Sequence, residues 1–252
     1  MPMTARGWRA KSSLSPTGCA RRRWAAASST YLCRRKNNLS DPRMQIGDAD
    51  RHPTASRVTA FIPVKPLNDG KSRLSGKLDL AHRIELTRSS LRRIVHTLQS
   101  TPGVGDIIVI SRDARVAAWA ECWRVGHMRE HRRGLNAALR EARARYARAS
   151  AVLVLPSDLA ALSLTDVQGM LAAAQHAGER CVVIAPDRHG RGTNALLLKP
   201  PDVIDFDFGA NSALRHARRA LAHGIQPIWF RSDSICLDLD SPDDLDLYLD
   251  QW

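Results

Sequence analysis

The sequence predicts a three-layer α/β/α domain of Rossmann type, built on a mixed, mostly parallel sheet. Three observations carry that expectation. From Val58 onward, short apolar runs rich in β-branched residues alternate with amphipathic helical stretches. The first run, Val58 to Val64, enters a Pro-, Asn- and Gly-containing loop with Lys65, Lys71 and Arg73, and a long helix follows. That order puts cations where an α/β nucleotide site holds its phosphates. Finally, two later apolar runs end on acids, Asp158 after one and Asp238 and Asp240 in the other.

Taken in order, Asp79 can cap a helix to about Gln99, with Leu80, Ile84, Leu91, Ile94, Val95 and Leu98 near one face. Pro102-Gly103 ends it, and Asp106 to Ile110 is the second buried strand. Asp113 to Cys122 forms a short helix, and a short strand is expected within Trp123 to His131. His127 and His131 have the helical spacing of metal ligands, but Arg129, Arg132 and Arg133 beside them favour a solvated loop. Gly134-Leu135-Asn136 opens a helix whose Arg140, Arg143, Arg145 and Arg148 read as a solvated face.

Ala151 to Leu155 is the most emphatic strand and ends in Pro156-Ser157-Asp158. Asp166 to His176 is helical, Cys181 to Ala185 a strand. A Gly-rich loop, Asp187 to Thr193, then precedes the strand Asn194 to Leu198. The loop Phe206 to Ser212 leads into a basic helix, Ala213 to His223. Strands are expected at Ile228 to Arg231 and Ile235 to Asp240, and Ser241-Pro242-Asp243-Asp244 signals a closing helix.

Composition excludes several classes. No apolar run approaches membrane-spanning length. Five cysteines without a C-x-x-C pair or His/Cys ligand spacing point to a reducing, cytoplasmic setting without structural zinc. Cys122, Cys181 and Cys236 lie in apolar runs and are expected in the core. The net charge of +13 suggests a polyanion partner, but ten basic residues and one acid precede Met44, so nine of those charges belong to the leading segment. Residues 1–55 are expected to be a disordered basic tail, with Met44 as the favoured true start. A transit-like role and non-specific polyanion binding are alternatives for it. Residues 56–252 form the expected domain, with no membrane or specific nucleic-acid partner; a homodimer stays open.

The organising loop has two competing readings besides a phosphate site. Gly70-Lys71-Ser72 resembles the end of a Walker A motif, but the position of its first glycine is Lys65, and Pro63 and Pro66 stiffen the loop where a cradle should wrap. A solvated basic turn is the plain alternative. Likewise Asp158 and Asp240 could be simple helix caps. A carboxylate pair from separate strands, beside a cationic loop, instead suits Mg²⁺ with open positions for phosphate oxygens.

One family unites these residues. Pro63-Val64-Lys65, Lys71-Ser72-Arg73-Leu74, Arg83, Leu135-Asn136, Pro156-Ser157-Asp158-Leu159, Gly192-Thr193-Asn194, Phe208-Gly209-x-x-Ser212 and Asp238-x-Asp240-Ser241-Pro242-x-Asp244 resemble the CofC-type guanylyltransferases of coenzyme F-420 biosynthesis. The resemblance spans about Val58 to Trp252 and implies a nucleotidyltransferase fold. It also implies GMP transfer from GTP to a three-carbon phospho-acid: 3-phospho-D-glycerate, phosphoenolpyruvate or 2-phospho-L-lactate. The implied roles are Lys71 and Arg73 as catalytic cations, with Lys65, Lys71, Arg73 and Asn136 on the nucleotide. Asp158, Asp238 and Asp240 would hold Mg²⁺, and Thr193, Gly209, Asn211 and Ser212 the acceptor.

Departures fall on the acceptor side. Ala160-Ala161 stands where many relatives have a proline after the Asp-Leu pair, and Gly209-Ala210-Asn211-Ser212 replaces a Gly-Pro-Gly-like loop. An amide at Asn211 could bond an extra hydroxyl, which favours 3-phospho-D-glycerate over phosphoenolpyruvate. A cytidylyl- or molybdopterin nucleotidyltransferase and a non-enzymatic polyanion-binding protein are the alternatives.

Overall fold

The computed structural model describes residues 57–131, 134–146 and 150–251, so the expected tail lies outside the described residues. Seven strands form one sheet: β1 Val58–Pro63, β2 Val104–Ile110, β3 Gly126–Met128, β4 Ala151–Val154, β5 Cys181–Pro186, β6 Thr193–Lys199 and β7 Ile228–Trp229. Their order is β3-β2-β1-β4-β6-β5-β7, and only β6 runs antiparallel to its neighbours. The central strands are continuous apolar runs because both their faces are covered. Along β1, Ala60 and Ile62 pack on one side, while Phe61 packs on the other.

The first face carries helices α1 (Leu80–Gln99), α2 (Ala114–Cys122) and α4 (Leu164–His176). Leu91, Ile94, Val95 and Leu98 of α1 meet Val167, Met170 and Leu171 of α4 there. The second face carries α3 (Leu135–Arg145) and α5 (Ser212–Ala222), whose small Ala138, Ala142, Ala213, Ala217 and Ala220 let them lie close over the sheet. The one-turn α6 (Asp233–Cys236) and then α7 (Pro242–Gln251) close the chain. No helix among the described residues is long and apolar enough to cross a membrane.

Several expectations are corrected. Ile235 to Asp240 is not a strand: Ser232 Oγ accepts from Ile235 N–H and starts the α6 turn, after which residues 237–241 run irregularly. Asp238 and Asp240 therefore stand on a loop, not at a strand end. Leu80 and Cys122 are exposed, the first and last residues of their helices. Arg140 and Arg143 are not a merely solvated face. Both pair with Asp205, at 2.7 and 3.0 Å, and Arg143 also covers the ring of Phe206.

Strands β1, β2 and β4 end level with one another. Val64 N–H donates to Ile110 O, and Leu155 N–H donates to Phe61 O. The chain leaves β1 toward β2 on one side and reaches β4 on the other, so a crevice opens between their carboxyl ends. Asp113 fixes the loop that enters it. One carboxylate oxygen caps α2 by accepting from Arg115 N–H, and the other accepts from Leu67 N–H, both at 3.0 Å. The Arg115 guanidinium, hydrogen-bonded to Asp113, holds this carboxyl down at about 2.

Asp113→Ala should cost about 1–3 kcal/mol, the loss of a cap and of a charge-assisted bond. Because the folded pKa lies below the unfolded one, that stabilisation is complete above pH 4 and is lost as pH falls through about 2. Urea unfolding of both proteins should show the gap at pH 7 narrowing between pH 4 and 2. A gap independent of pH would show that the carboxylate charge is not what pins the loop.

Candidate active site

The crevice holds a cleft of about 360 Å³. Val64, Lys65, Gly70 and Lys71 of the β1 loop line it, with Arg112 after β2, Glu130 after β3, Leu135 and Ala138 of α3, and Asp158 and Asp240. The loop is tied down at Gly70, whose carbonyl accepts from Arg83 Nη1 at 3.0 Å. Next to it Lys71 adopts the left-handed conformation, φ 51°, and precedes a single 3-10 turn over Ser72–Leu74. This reversal turns the Lys71 side chain inward.

Lys71 Nζ donates to Leu239 O at 2.9 Å. Burial lowers its pKa, against the opposing pull of Asp158, Asp240 and Asp238. The three acids predicted from the sequence are thus gathered about one ammonium. Leu239 N–H donates to Asp158 O at 3.1 Å, which ties the irregular segment to the end of β4. Asn194 completes the cradle, its Nδ2 donating to Ile235 O, Cys236 O and Asp238 Oδ1 at 3.0, 3.2 and 3.2 Å. Arg73 is mostly exposed and pairs with Asp240 at 2.8 Å.

The acids carry the marks of a cation site. Asp238 is pushed up to about 6, first by burial and then by the neighbouring charge of Asp158. One Asp158 oxygen, Oδ1, is buried without a hydrogen-bond partner. Two crowded carboxylates, one with an unsatisfied oxygen, fit a hard divalent cation. Among the described residues, no group of three or more His, Cys, Asp or Glu side chains is preformed to hold a metal ion. Such an ion would draw its other ligands from water and phosphate. Neither Asp158 nor Asp240 is the cap of a helix; Ser241 and Asp244 share that role for α7, with Ser241 Oγ donating to Asp244 at 2.6 Å.

The residues expected to bind acceptor form a second cluster. Ala213 N–H at the start of α5 donates to Arg191 O, bringing Gly209, Asn211 and Ser212 beside Thr193. Gly192 has no room for a side chain, since a Cβ would stand 2.8 Å from an Asp187 oxygen that its own N–H bonds. Gly209 sits at φ +132°, open to glycine alone at low cost. Ser212 is buried, whereas Asn211 is exposed, left-handed, and makes no capping bond. None of these four lines the cleft, and Ala160 and Ala161 are buried in the core.

Two polar side chains support the cluster. Asp207 N–H donates to Nε2 of the fully buried His216 at 3.0 Å, so Nδ1 carries the proton and donates to Thr193 Oγ1 at 3.1 Å. The Thr193 hydroxyl hydrogen is left to point elsewhere. Burial drops His216 to about 4, keeping it neutral. Asn136, expected on guanosine, bonds both the N–H and the carbonyl of Phe208, at 2.8 and 3.0 Å, and does not line the cleft. Sequence reasoning gave no role to Asn194, His216, Asp113, Arg112 or Glu130. Only Asp113 had a local signal, as a helix start; the contacts of the others with Asp238, with Thr193 and between Arg112 and Glu130 span 18 to 44 residues of chain.

A cationic loop after β1 and acids beyond β4, on this sheet, define a nucleotidyltransferase. Solved structures agree on the fold. A CMP:2-keto-3-deoxy-manno-octonic acid synthetase complexed with CTP matches with a TM-score of 0.55 at 14% identity, covering 77% of this chain and 97% of its own. A nucleotidyl transferase from Methanothermobacter thermautotroptrophicus matches at 0.56 and 15%, covering 78% and 97%.

Residues 58–249 match the family described as guanylyl transferase CofC like, and the chain belongs to that family of guanylyltransferases. The phosphoenolpyruvate guanylyltransferase of Rubrobacter xylanophilus is 41% identical over 191 residues, 75% of this chain and 91% of that protein. The 2-phospho-L-lactate guanylyltransferase of Methanocaldococcus jannaschii is 28% identical over 190 residues, covering 75% and 81%.

The raised Asp238 carboxyl has a stability signature. Its folded pKa exceeds the unfolded one, so the ionised form weakens the metal-free fold above about pH 6, and the penalty fades as pH falls toward 4. Asp238→Asn should therefore stabilise the chelator-treated protein at pH 7.5 by about 1–3 kcal/mol, with the gain vanishing near pH 4. Thermal melts across that range measure it; a destabilised variant at pH 7.5 would contradict the crowding of the two acids.

Proposed function

We propose that this chain transfers GMP from GTP to the phosphate of a three-carbon phospho-acid, releasing pyrophosphate, within coenzyme F-420 biosynthesis. The single observation that carries the reading is the convergence of Asp158, Asp238 and Asp240 on Lys71 at the cleft. An acceptor phosphate oxygen attacks the α-phosphorus as the bond to the β-phosphate oxygen breaks, and pyrophosphate leaves with that electron pair. The phosphate's second pKa is near about 6, so its oxygen is ionised at neutral pH and no general base is needed. The protein's work is to hold two polyanions in line and offset their repulsion.

Lys71, with Lys65 beside it in the cleft lining, is suited to the charge that grows on the leaving pyrophosphate, and Arg73, outside that lining but paired with Asp240, adds a second cation at its edge. Mg²⁺ held by Asp158 and Asp238, with Asp240 adjacent, would neutralise phosphate charge when bound. Asn194 and Lys71 keep those carboxylates in place through their bonds to the 235–239 segment. Thr193 O–H and the Gly209 loop offer donors for the acceptor's carboxylate.

Among acceptors we put 3-phospho-D-glycerate first. Asn211 supports it, because its amide makes no capping bond and stands next to Ser212, where a C2 hydroxyl would need a partner. Phosphoenolpyruvate is the second reading, favoured by the name of the 41% identical relative.

With GTP, Mg²⁺ and each phospho-acid, mass spectrometry should find guanylylated 3-phospho-D-glycerate. Asn211→Gly should shift the preference toward phosphoenolpyruvate by about 1 kcal/mol, the net worth of one hydrogen bond. A wild type that makes only the phosphoenolpyruvate product would overturn the acceptor choice, and one that makes no product would overturn the transfer itself.

Lys71→Ala should lower kcat by about 100-fold or more. A rise in the GTP KM alone would instead make the loop a ground-state clamp. Millimolar MgCl₂ should raise the melting temperature of the wild type and leave that of Asp158→Asn unmoved; equal shifts would remove Asp158 from the cation site.

A further inference from the structure

We propose that Glu130 and Arg112 read the guanine base, an assignment that rests on the guanylyltransferase reading above. Both line the cleft, each two residues beyond a pair in register, Ile110 of β2 and Met128 of β3. Backbone bonds extend that pairing: Ser111 N–H donates to Met128 O, and Glu130 N–H donates to Ser111 O. The two side chains therefore stand on adjacent strand ends. In the sheet order β3 is three strand spacings from β4, roughly 14 Å. That span is of the size needed for a nucleoside whose phosphates lie by Lys71 and Asp158, with its base at the Arg112–Glu130 pair after β2 and β3.

The chemistry of the pair is specific. Arg112 Nη1 lies 3.8 Å from Glu130 Oε2, and the Glu130 side chain is only 15% exposed. Glu130 Oε1 accepts from Gly134 N–H at 3.3 Å, which aims the carboxylate into the cleft mouth beside Leu135. A carboxylate has about four acceptor sites, so this bond leaves capacity for a ligand. A donor beside an acceptor matches the guanine edge, where O6 accepts and N1–H and N2–H₂ donate. Adenine offers the reverse order, N6–H₂ toward the guanidinium and a bare N1 toward the carboxylate. The site would then reject ATP by repulsion as well as by lost bonds. In the free protein the ion pair also masks Glu130, so its charge does not oppose an arriving triphosphate. Asn136 is not needed for this task, since its amide clamps Phe208.

The test is kcat/KM for GTP, ITP and ATP in wild type, Glu130→Ala and Glu130→Gln, with phosphoenolpyruvate and 3-phospho-D-glycerate as acceptors. ITP lacks only the N2 amino group. The wild type should prefer GTP over ITP by about tenfold or more and scarcely use ATP. Glu130→Ala removes two guanine bonds but one hypoxanthine bond, so the GTP-to-ITP ratio should collapse to within about threefold while acceptor KM is unchanged. Glu130→Gln keeps the shape and should show the same collapse should the alanine variant fail to fold. A ratio that stays at its wild-type value in either variant overturns the base-reading role and leaves the transferase reading standing. A wild type inert with every nucleotide overturns both.

Discussion

The pair of carboxylates at Asp158 and Asp238 is a like-charge contact in a buried setting, and much of the surrounding structure exists to hold it there. Asp158 lies in the turn that follows the central strand β4. Asp238 sits on an irregular segment that would drift away without cross-links. Three such links hold it: Leu239 N–H on Asp158 O, Lys71 Nζ on Leu239 O, and the Asn194 amide on three acceptors. Each is a hydrogen bond to backbone or to Asp238 itself, so the acids keep their spacing when no cation relieves their repulsion. The cost is a carboxyl pushed up to about 6 and an unsatisfied oxygen on its neighbour. Strain of this kind is what a site keeps for a ligand that supplies the missing charge.

The same links reach both clusters of polar residues. Lys71 belongs to the β1 loop that lines the cleft, and Asn194 follows Thr193, so the acids are mechanically continuous with that loop and with the Thr193 cluster. The Thr193 cluster is in turn set by His216, whose neutral ring passes an orientation from Asp207 N–H to the Thr193 hydroxyl. Asn136 and Arg143 fasten the chain on either side of Phe206, through Phe208 and through Ile204 and Asp205. One face of the sheet thereby supports the segment that leads to Thr193 and Ser212, while the opposite face supplies the hydrophobic core beneath the β1 loop.

Much of the fold was legible because the central strands are buried on both faces and so appear as unbroken apolar runs; Phe61 and Leu153 could only be interior. Caps were legible too, since Asp79 and Asp113 act within three residues of themselves. The segment 235–240 misled because its alternating Ile-Cys-Leu-Asp-Leu-Asp pattern is that of a half-buried strand, while Asn194, some forty residues earlier, takes the carbonyls a strand would offer its neighbour. Asn136 misled for a related reason. An asparagine at a helix start advertises a free amide, and nothing local indicates that Phe208, 72 residues on, consumes it. The gathering of the acids was suggested by their positions after apolar runs, but the ammonium at their centre depends on the left-handed turn at Lys71, which residue pattern does not announce.

Asp158 and Asp238 are neighbouring carboxylates at a partly buried site, with Lys71 as their resident counter-charge. Carboxyl-carbon NMR titration of Asp238 in the metal-free protein tests it most directly. The midpoint should lie near 6 in the wild type, higher in Lys71→Met, and should fall toward or below the ordinary carboxylate range when Mg²⁺ is added. A midpoint near the unperturbed aspartate value of about 3.9 in the metal-free protein, unmoved by Lys71→Met or by Mg²⁺, would contradict it.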